Sequence, residues 1–169
     1  MYTVYLGLGS NLGNRLANLS LAIEKINGLT PVQSVSSIYE TEPVAMQDAG
    51  VFYNMAVGIQ TTDDPPLLLT KLKQIEKKMG RKVSEYMEPR IIDIDILLYR
   101  GLAYDDNMVR VPHPMLEHRR FALEPLHEIA PTAVHPILEK TVATLLRNCR
   151  DRHTVARTDL QLHVTSLQH

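Results

Sequence analysis

The stretch Glu88-Pro89-Arg90-Ile91-Ile92-Asp93-Ile94-Asp95-Ile96-Leu97-Leu98-Tyr99 decides how this chain is read. Isoleucine and leucine dominate it, and such side chains suit a pleated, half-buried strand. Alternation of faces along a strand predicts Ile92, Ile94, Ile96 and Leu98 on a core face. Ile91, Asp93, Asp95, Leu97 and Tyr99 then share the other face. The Cα atoms of Asp93 and Asp95 should lie roughly 6.5–7 Å apart, two strand steps. Two partly desolvated carboxylates this close raise each other's pKa unless a positive group intervenes. Mg²⁺ would resolve the conflict, because it takes one or two carboxylates together with phosphate oxygens. Arg90, just upstream, offers the planar fork that suits phosphate. An acid-x-acid pair also occurs on ordinary sheet faces wet on one side. Spacing alone leaves the solvated face and the metal–phosphate site as open alternatives.

Working outward, 169 residues suit one domain over residues 1–169, with a core over about 2–148 and a tail, 149–169, of uncertain role. Hydrophobic residues make up 44% and charged residues 22%, which excludes a disordered or fibrous class. A net charge of −1 gives no sign of a nucleic-acid or anionic membrane partner. Cys149 is the sole cysteine, which excludes an internal disulfide and a cysteine-rich zinc site and favours a reducing cytoplasm. Met1 to Leu6 lacks the pattern of a signal peptide, and no apolar run is long enough to span a bilayer. The oligomeric state is open, with a monomer as the starting expectation.

Upstream, Tyr2 to Leu8 is a predicted strand running into Gly7-Leu8-Gly9-Ser10-Asn11-Leu12-Gly13-Asn14. The glycine spacing is not that of a dinucleotide-binding turn, so a tight turn into a helix is expected. Asn14 is a candidate N-cap. Leu16, Leu19, Ile23 and Ile26 recur at helical spacing up to a stop at Asn27-Gly28. Val32 to Tyr39 reads as a strand with Val32, Val35 and Ile38 in the core. Glu40 to Gly50 reads as a long functional loop, and Phe52 to Thr61 as the return strand, with Phe52, Asn54 and Ala56 on one face. Asp63-Asp64-Pro65-Pro66 opens a second helix, with Leu68, Leu72, Ile75 and Met79 as its buried stripe and Gly80 as its stop. Downstream lie a short strand near Met108–Val111, the Val111-Pro112-His113-Pro114 turn, a helix over Phe121–Ile129 and a last helix over Thr141–Asn148. Leu160 and Leu162 alternate like a late edge strand. This order, β-α-β-β-α-β plus a C-terminal extension, predicts an α+β fold with a ferredoxin-like core, an antiparallel sheet packed by helices.

Positive groups flank the acid pair: Arg81, Lys82 and Arg90 before it, Arg110, His113, Arg119 and Arg120 after it. If they converge, they describe a triphosphate site. His118, His127, His135, His153, His163 and His169 read as surface or local hydrogen-bonding residues. Neither a Walker-type loop nor a nucleophile elbow is present.

The stretches Gly7–Gly13, Ser37–Pro43, Phe52-Tyr53-Asn54, Pro89–Tyr99, Val111–Pro114, Arg119–Leu126 and Glu128–Pro131 together resemble 6-hydroxymethyl-7,8-dihydropterin pyrophosphokinase, a family of folate biosynthesis. The resemblance covers roughly residues 2–135, and its P-R-x-x-D-x-D-I-L and V-P-H-P segments are specific. It implies transfer of a pyrophosphoryl group from ATP to the hydroxymethyl group of the dihydropterin, with release of AMP. It implies two Mg²⁺ ions at Asp93 and Asp95, with Arg81 and Arg90 beside them in catalysis. The implied ATP contacts are Glu76, Arg81, Arg90, Ile96, Val109, Arg110, His113 and Arg119. The implied pterin contacts are Thr41, Val44, Phe52, Asn54 and Phe121, the ring stacking between the two phenylalanines. Loops over 11–15, 42–51 and 81–89 would close over the substrates. Where the family commonly carries Trp-Gly, this chain has Met87-Glu88, and it contains no tryptophan. The partners implied are small molecules, neither nucleic acid nor membrane. Two rival readings of the same core are a cation-binding sensor without catalysis and an RNA-binding module, the latter disfavoured by the acidic pair.

Overall fold

A computed structural model describes residues 1–41, 50–81 and 89–162. In chain order the main elements are β1 (Tyr2–Ser10), α1 (Arg15–Leu29), β2 (Val32–Val35), β3 (Tyr39–Thr41), β4 (Phe52–Thr61), α2 (Pro65–Lys78) and β5 (Asp93–Tyr99). There follow β6 (Tyr104–Asp105), β7 (Arg110–Val111), α3 (Arg120–Ile129), β8 (Val134–His135), β9 (Lys140–Thr141), α4 (Val142–Asn148) and β10 (Val155–Arg157). The main sheet is antiparallel, in the order β10-β3-β4-β1-β5, with β2 also paired to β4. Four helices among the described residues complete an α+β architecture.

The helix starts are chemical. The Asn14 side chain accepts from the Ala17 N–H, and that of Asp64 from the Leu67 N–H with Pro65 at the first helical position. Leu19, Ile23 and Ile26 of α1 and Leu68, Leu72 and Ile75 of α2 bury against Val4, Leu6, Leu8, Met55, Val57, Ile59, Ile94 and Ile96 on one sheet face. On the other face, Leu123 and Leu126 of α3 and Leu145 of α4 meet Tyr5, Ala56, Leu97 and Leu98. Each such side chain stabilises the fold by about 1.5–3 kcal/mol when fully buried.

Several expectations are corrected. Gly7 and Gly9 lie inside β1, not in a turn; of the first three glycines only Gly13 has a positive φ, +70°. Helix α1 runs through Gly28 to Leu29, because no residue there adopts the left-handed conformation that would end it. The predicted Val32–Tyr39 strand is two strands. It breaks at Ser36, whose N–H donates to Ala56 O and whose hydroxyl accepts from the Ala56 N–H. Val35 is exposed as a result, while Val32 and Ile38 are buried. Strict alternation also fails in β5. Ile96 faces Leu6 and Leu98 faces Tyr5, so Leu97 is an extra residue, a bulge. The bulge sends Leu98 to the α3 side and the fully buried Tyr99 to the α1–α2 side, the reverse of the alternating pattern. The late edge strand exists, but as β10, earlier than Leu160. Residues 42–49, 82–88 and 163–169, with Val44 and most of the predicted closing loops 42–51 and 81–89, lie outside the described residues.

Candidate active site

The α3-side face of the sheet hollows into a cavity of about 420 Å³. Its floor follows from the register of three strands. Asn54, Gly9 and Asp93 stand in one row across β4, β1 and β5, and Ala56, Gly7 and Asp95 in the next. The central strand therefore contributes no side chain in either row. A Cβ on Gly9 would lie 2.7 Å from Asn54 Oδ1, and one on Gly7 would lie 3.3 Å from Leu97. Close approach requires glycine at position 9, position 7 is only tightly packed, and the side chains missing from both leave room for the cavity.

One half is neutral. Asn54 Nδ2 donates to Thr41 Oγ1 at 2.6 Å, both residues being buried. Phe52 from the start of β4 and Phe121 from the first turn of α3 line the same space. The Arg119 guanidinium carbon lies 5.7 Å from the centre of the Phe121 ring.

The other half is charged. Asp93 accepts from Arg81 Nη1 at 2.9 Å through one oxygen and from Arg90 Nη1 at 3.2 Å through the other. The same Arg81 nitrogen lies 2.7 Å from Glu76 Oε2. Glu76 is nearly inaccessible, and its Oε1 accepts from the Ile94 N–H at 2.8 Å, fixing α2 to β5 behind the site. Arg90 is placed through its backbone: its N–H donates to Asn11 Oδ1 at 2.6 Å and its carbonyl accepts from the Asn11 N–H at 3.0 Å. Its Nε is buried without a hydrogen-bond partner among the described residues. Asp95 exposes part of its surface, but towards the cavity rather than bulk solvent. Burial first, and then the neighbouring Asp93 charge, push the Asp95 carboxyl up to about 7, against the lowering pull of Lys73 and Arg119. His113 is placed by its N–H to Leu97 O at 2.9 Å, and its Nδ1 accepts from the Met115 N–H. Burial, then Arg119, lower its imidazole below the usual value, so the ring is neutral at pH 7.

The cavity thus gathers Thr41, Phe52, Asn54, Arg90, Asp93, Asp95, His113, Arg119 and Phe121 of the residues singled out from the sequence. Arg81 and Glu76 stand behind this lining, joined to it through Asp93. Ile96 points into the opposite core, Val109 packs at that core's margin, and Arg110 is exposed, 3.2 Å from Asp105. Reading by sequence missed Gly7, Gly9, Leu97, Met115, His118, Asp151 and His153, all of which line the cavity. Two glycines on one face of a strand, at i and i+2, were a usable signal. Asp151 and His153 carried none.

Among the described residues no group of three or more acidic, histidine or cysteine side chains could enclose a metal ion. A pair of carboxylates is nevertheless the donor set from which Mg²⁺ binds when phosphate and water supply the rest. The raised Asp95 carboxyl is the conflict such a cation relieves.

The model of the family 7,8-dihydro-6-hydroxymethylpterin-pyrophosphokinase (HPPK) matches residues 5–131. The chain belongs to the HPPK family. A relative named 2-amino-4-hydroxy-6-hydroxymethyldihydropteridine pyrophosphokinase from Aquifex aeolicus is 43% identical over 140 residues, 83% of this chain and 88% of that protein. A Bacillus subtilis protein of the same name is 42% identical over 127 residues, 74% of this chain and 76% of its own length. The folic acid synthesis protein FOL1 of Dictyostelium discoideum is 39% identical over 145 residues, 86% of this chain but 22% of that longer protein. Among solved structures, wild-type HPPK-DHPS of Plasmodium falciparum superposes with a TM-score of 0.66 at 17% identity, covering 86% of this chain and 43% of that one. That likeness is one of fold. As an HPPK-family chain, the protein joins the charged and neutral halves of its cavity within the matched segment, apart from Asp151 and His153.

Proposed function

We propose that the chain transfers the pyrophosphoryl group of ATP to the hydroxymethyl group of 6-hydroxymethyl-7,8-dihydropterin, releasing AMP, in folate biosynthesis. One observation carries the reading: a neutral aromatic–amide slot opens into a two-carboxylate, multi-arginine site within a single cavity of an HPPK-family chain. The pterin ring fits between Phe52 and Phe121, with Asn54 and Thr41 on its polar edge. The hydroxymethyl oxygen then points toward Asp93 and Asp95. It attacks the β-phosphorus, the bond from that phosphorus to the oxygen bridging to the α-phosphorus breaks, AMP leaves with that oxygen, and the hydroxyl proton passes to solvent. The protein's task is placement and charge neutralisation rather than covalent chemistry.

Asp93 and Asp95 would hold Mg²⁺, two ions as in the family, and the metal would neutralise phosphate charge. Arg81 and Arg90, which rest on Asp93 in the free protein, pass to the phosphates when ATP arrives. The buried, unpartnered Arg90 Nε supports that exchange. His113 and Arg119 contribute further phosphate contacts, Glu76 orients Arg81, and the adenine lies along the backbone near Ile96, Val109 and Arg110. The order β3-β4-β1-β5, with α1 and α2 as crossovers, supports a ferredoxin-like core within one pyrophosphokinase domain over 1–169, β10 belonging to its C-terminal extension. No described helix is long and apolar enough to cross a membrane. The single cysteine supports a cytoplasmic location.

Chromatography of a reaction containing protein, ATP, Mg²⁺ and the dihydropterin tests the reading. AMP should appear in step with a diphosphorylated pterin. ADP would mean an ordinary kinase. Binding of both ligands without a nucleotide product would leave a sensor in place of an enzyme.

A further inference from the structure

We propose that His153 is a pterin-contacting residue, carried into the site by the chain beyond α4. The segment lies outside the family match, which ends at residue 131. It is nonetheless fastened at both ends. On one side Asp151 Oδ2 accepts from the Arg120 N–H at 3.0 Å, while the Arg120 side chain donates to Asp151 O and Cys149 O at 3.1 and 3.3 Å. On the other side β10 pairs with β3, Val155 standing opposite Thr41, and Thr158 bonds Ile38 O through both its N–H and its hydroxyl.

These two anchors fix where His153 is. Arg120 is the neighbour of Phe121, and Val155 is the partner of Thr41. The turn between them therefore bridges the two pterin-side elements; of the phosphate-side arginines only Arg119, the chain neighbour of Arg120, is close to it in pairing, while Arg81 and Arg90 sit on Asp93. Asp151 and His153 both line the cavity. The imidazole is oriented as well as placed. Its Nδ1 lies 2.5 Å from Asp151 Oδ1, and the His153 N–H donates to the same oxygen at 3.0 Å. A carboxylate only accepts, so Nδ1 carries the proton of this contact. In the neutral ring Nε2 is then an acceptor, and it has no partner among the described residues. An acceptor fixed beside an aromatic slot suits an N–H of a flat heterocycle, of which the pterin has several.

The inference rests on the pterin reading above, and its test separates the two. Wild type, His153→Ala and His153→Gln would be compared by steady-state kinetics and by titration with the dihydropterin alone. His153→Ala should raise the pterin KM and Kd about five- to tenfold, the effect of one lost hydrogen bond to a neutral ligand. The KM for ATP should not move, and the thermal unfolding midpoint should fall by no more than about 2–4 °C, because the side chain is half exposed and its one ion pair, to Asp151, is worth at most about 1 kcal/mol. His153→Gln, whose Oε1 can replace Nε2 as acceptor, should recover most of the loss. An unchanged pterin Kd in His153→Ala overturns the proposal, as does a loss that appears in kcat alone or that glutamine fails to rescue. If wild type makes no AMP, the pyrophosphokinase reading falls, and the titration still decides whether His153 touches the pterin.

Discussion

Asp95 is a carboxyl placed where its charge is costly, and that cost is measurable without substrate. Burial and Asp93 hold it near 7, against an ordinary value of 3.8. Between about pH 4 and pH 7 the folded protein therefore keeps a proton that the unfolded chain releases. Stability from this residue is fully present below the unfolded value and is lost as pH rises through the folded one. Asp95→Asn removes the charge at similar volume. In urea unfolding with chelator present, the variant should gain on wild type between about pH 5.5 and pH 8 by on the order of 1–2 kcal/mol, the full shift being discounted for water in the cavity. An equal difference at both pH values would show that the carboxyl is not strained in the free protein. The same substitution should abolish AMP formation while leaving the fold intact, since activity needs the charge that stability does not.

At the scale of elements, β1 matters for what it omits. A glycine inside a strand usually costs about 0.5–1 kcal/mol relative to alanine, so Gly9→Ala would stabilise an ordinary strand. Here the new Cβ would meet Asn54 Oδ1 at 2.7 Å, and Asn54 cannot yield without losing its bond to Thr41. Gly9→Ala should remain folded and weaken dihydropterin binding at least tenfold in a fluorescence titration. Wild-type affinity in that variant would mean the floor is not part of the site. Gly9 also shows where sequence reading succeeds and where it stops. Asp93, Asp95 and Arg90, which the cavity brings together, were singled out because type and spacing carry chemistry, whereas Asn54 and Phe121 entered as pterin contacts only through the family resemblance. The glycines were misread as a turn because, without the partners of a strand, close approach and chain reversal call for the same residue. Helix α2 was legible at both ends, from Asp64, Pro65 and Gly80. The face swap of Leu98 and Tyr99 was not, since a bulge is a property of the pairing with β1 rather than of either strand. The split of Val32–Tyr39 escaped for the same reason: the Ser36 contacts to Ala56 are long-range.

At the scale of the whole molecule, the sheet separates a core that needs the site from one that does not. The α1–α2 side is a continuous apolar cluster, whereas the α3 side gives part of its face to the cavity. Helix α3 is therefore held partly from outside, by Arg120 on Asp151 and by Glu128, which accepts from the Ser37 N–H and the Tyr39 hydroxyl and pairs with Arg157. A chain ending at Cys149 loses Asp151, His153, Arg157 and all of β10, but almost none of either apolar cluster. It should stay folded. Loss of a three-residue strand pairing, the two Arg120–Asp151 bonds and the two Thr158–Ile38 bonds, each worth about 1 kcal/mol, should lower its thermal midpoint by about 10–20 °C at this chain length. Phe121 follows Arg120 directly, so the shortened chain should also bind the dihydropterin more weakly than His153→Ala does, while its affinity for ATP with Mg²⁺ should fall far less, because of the phosphate-side arginines only Arg119 adjoins Arg120 and Arg81 and Arg90 are held on Asp93. Thermal melts with and without each ligand would separate the two effects: the stabilising shift from the pterin should shrink, and the shift from the nucleotide should persist. Equal loss of both shifts would mean that the C-terminal segment supports the whole fold rather than the pterin half of the cavity.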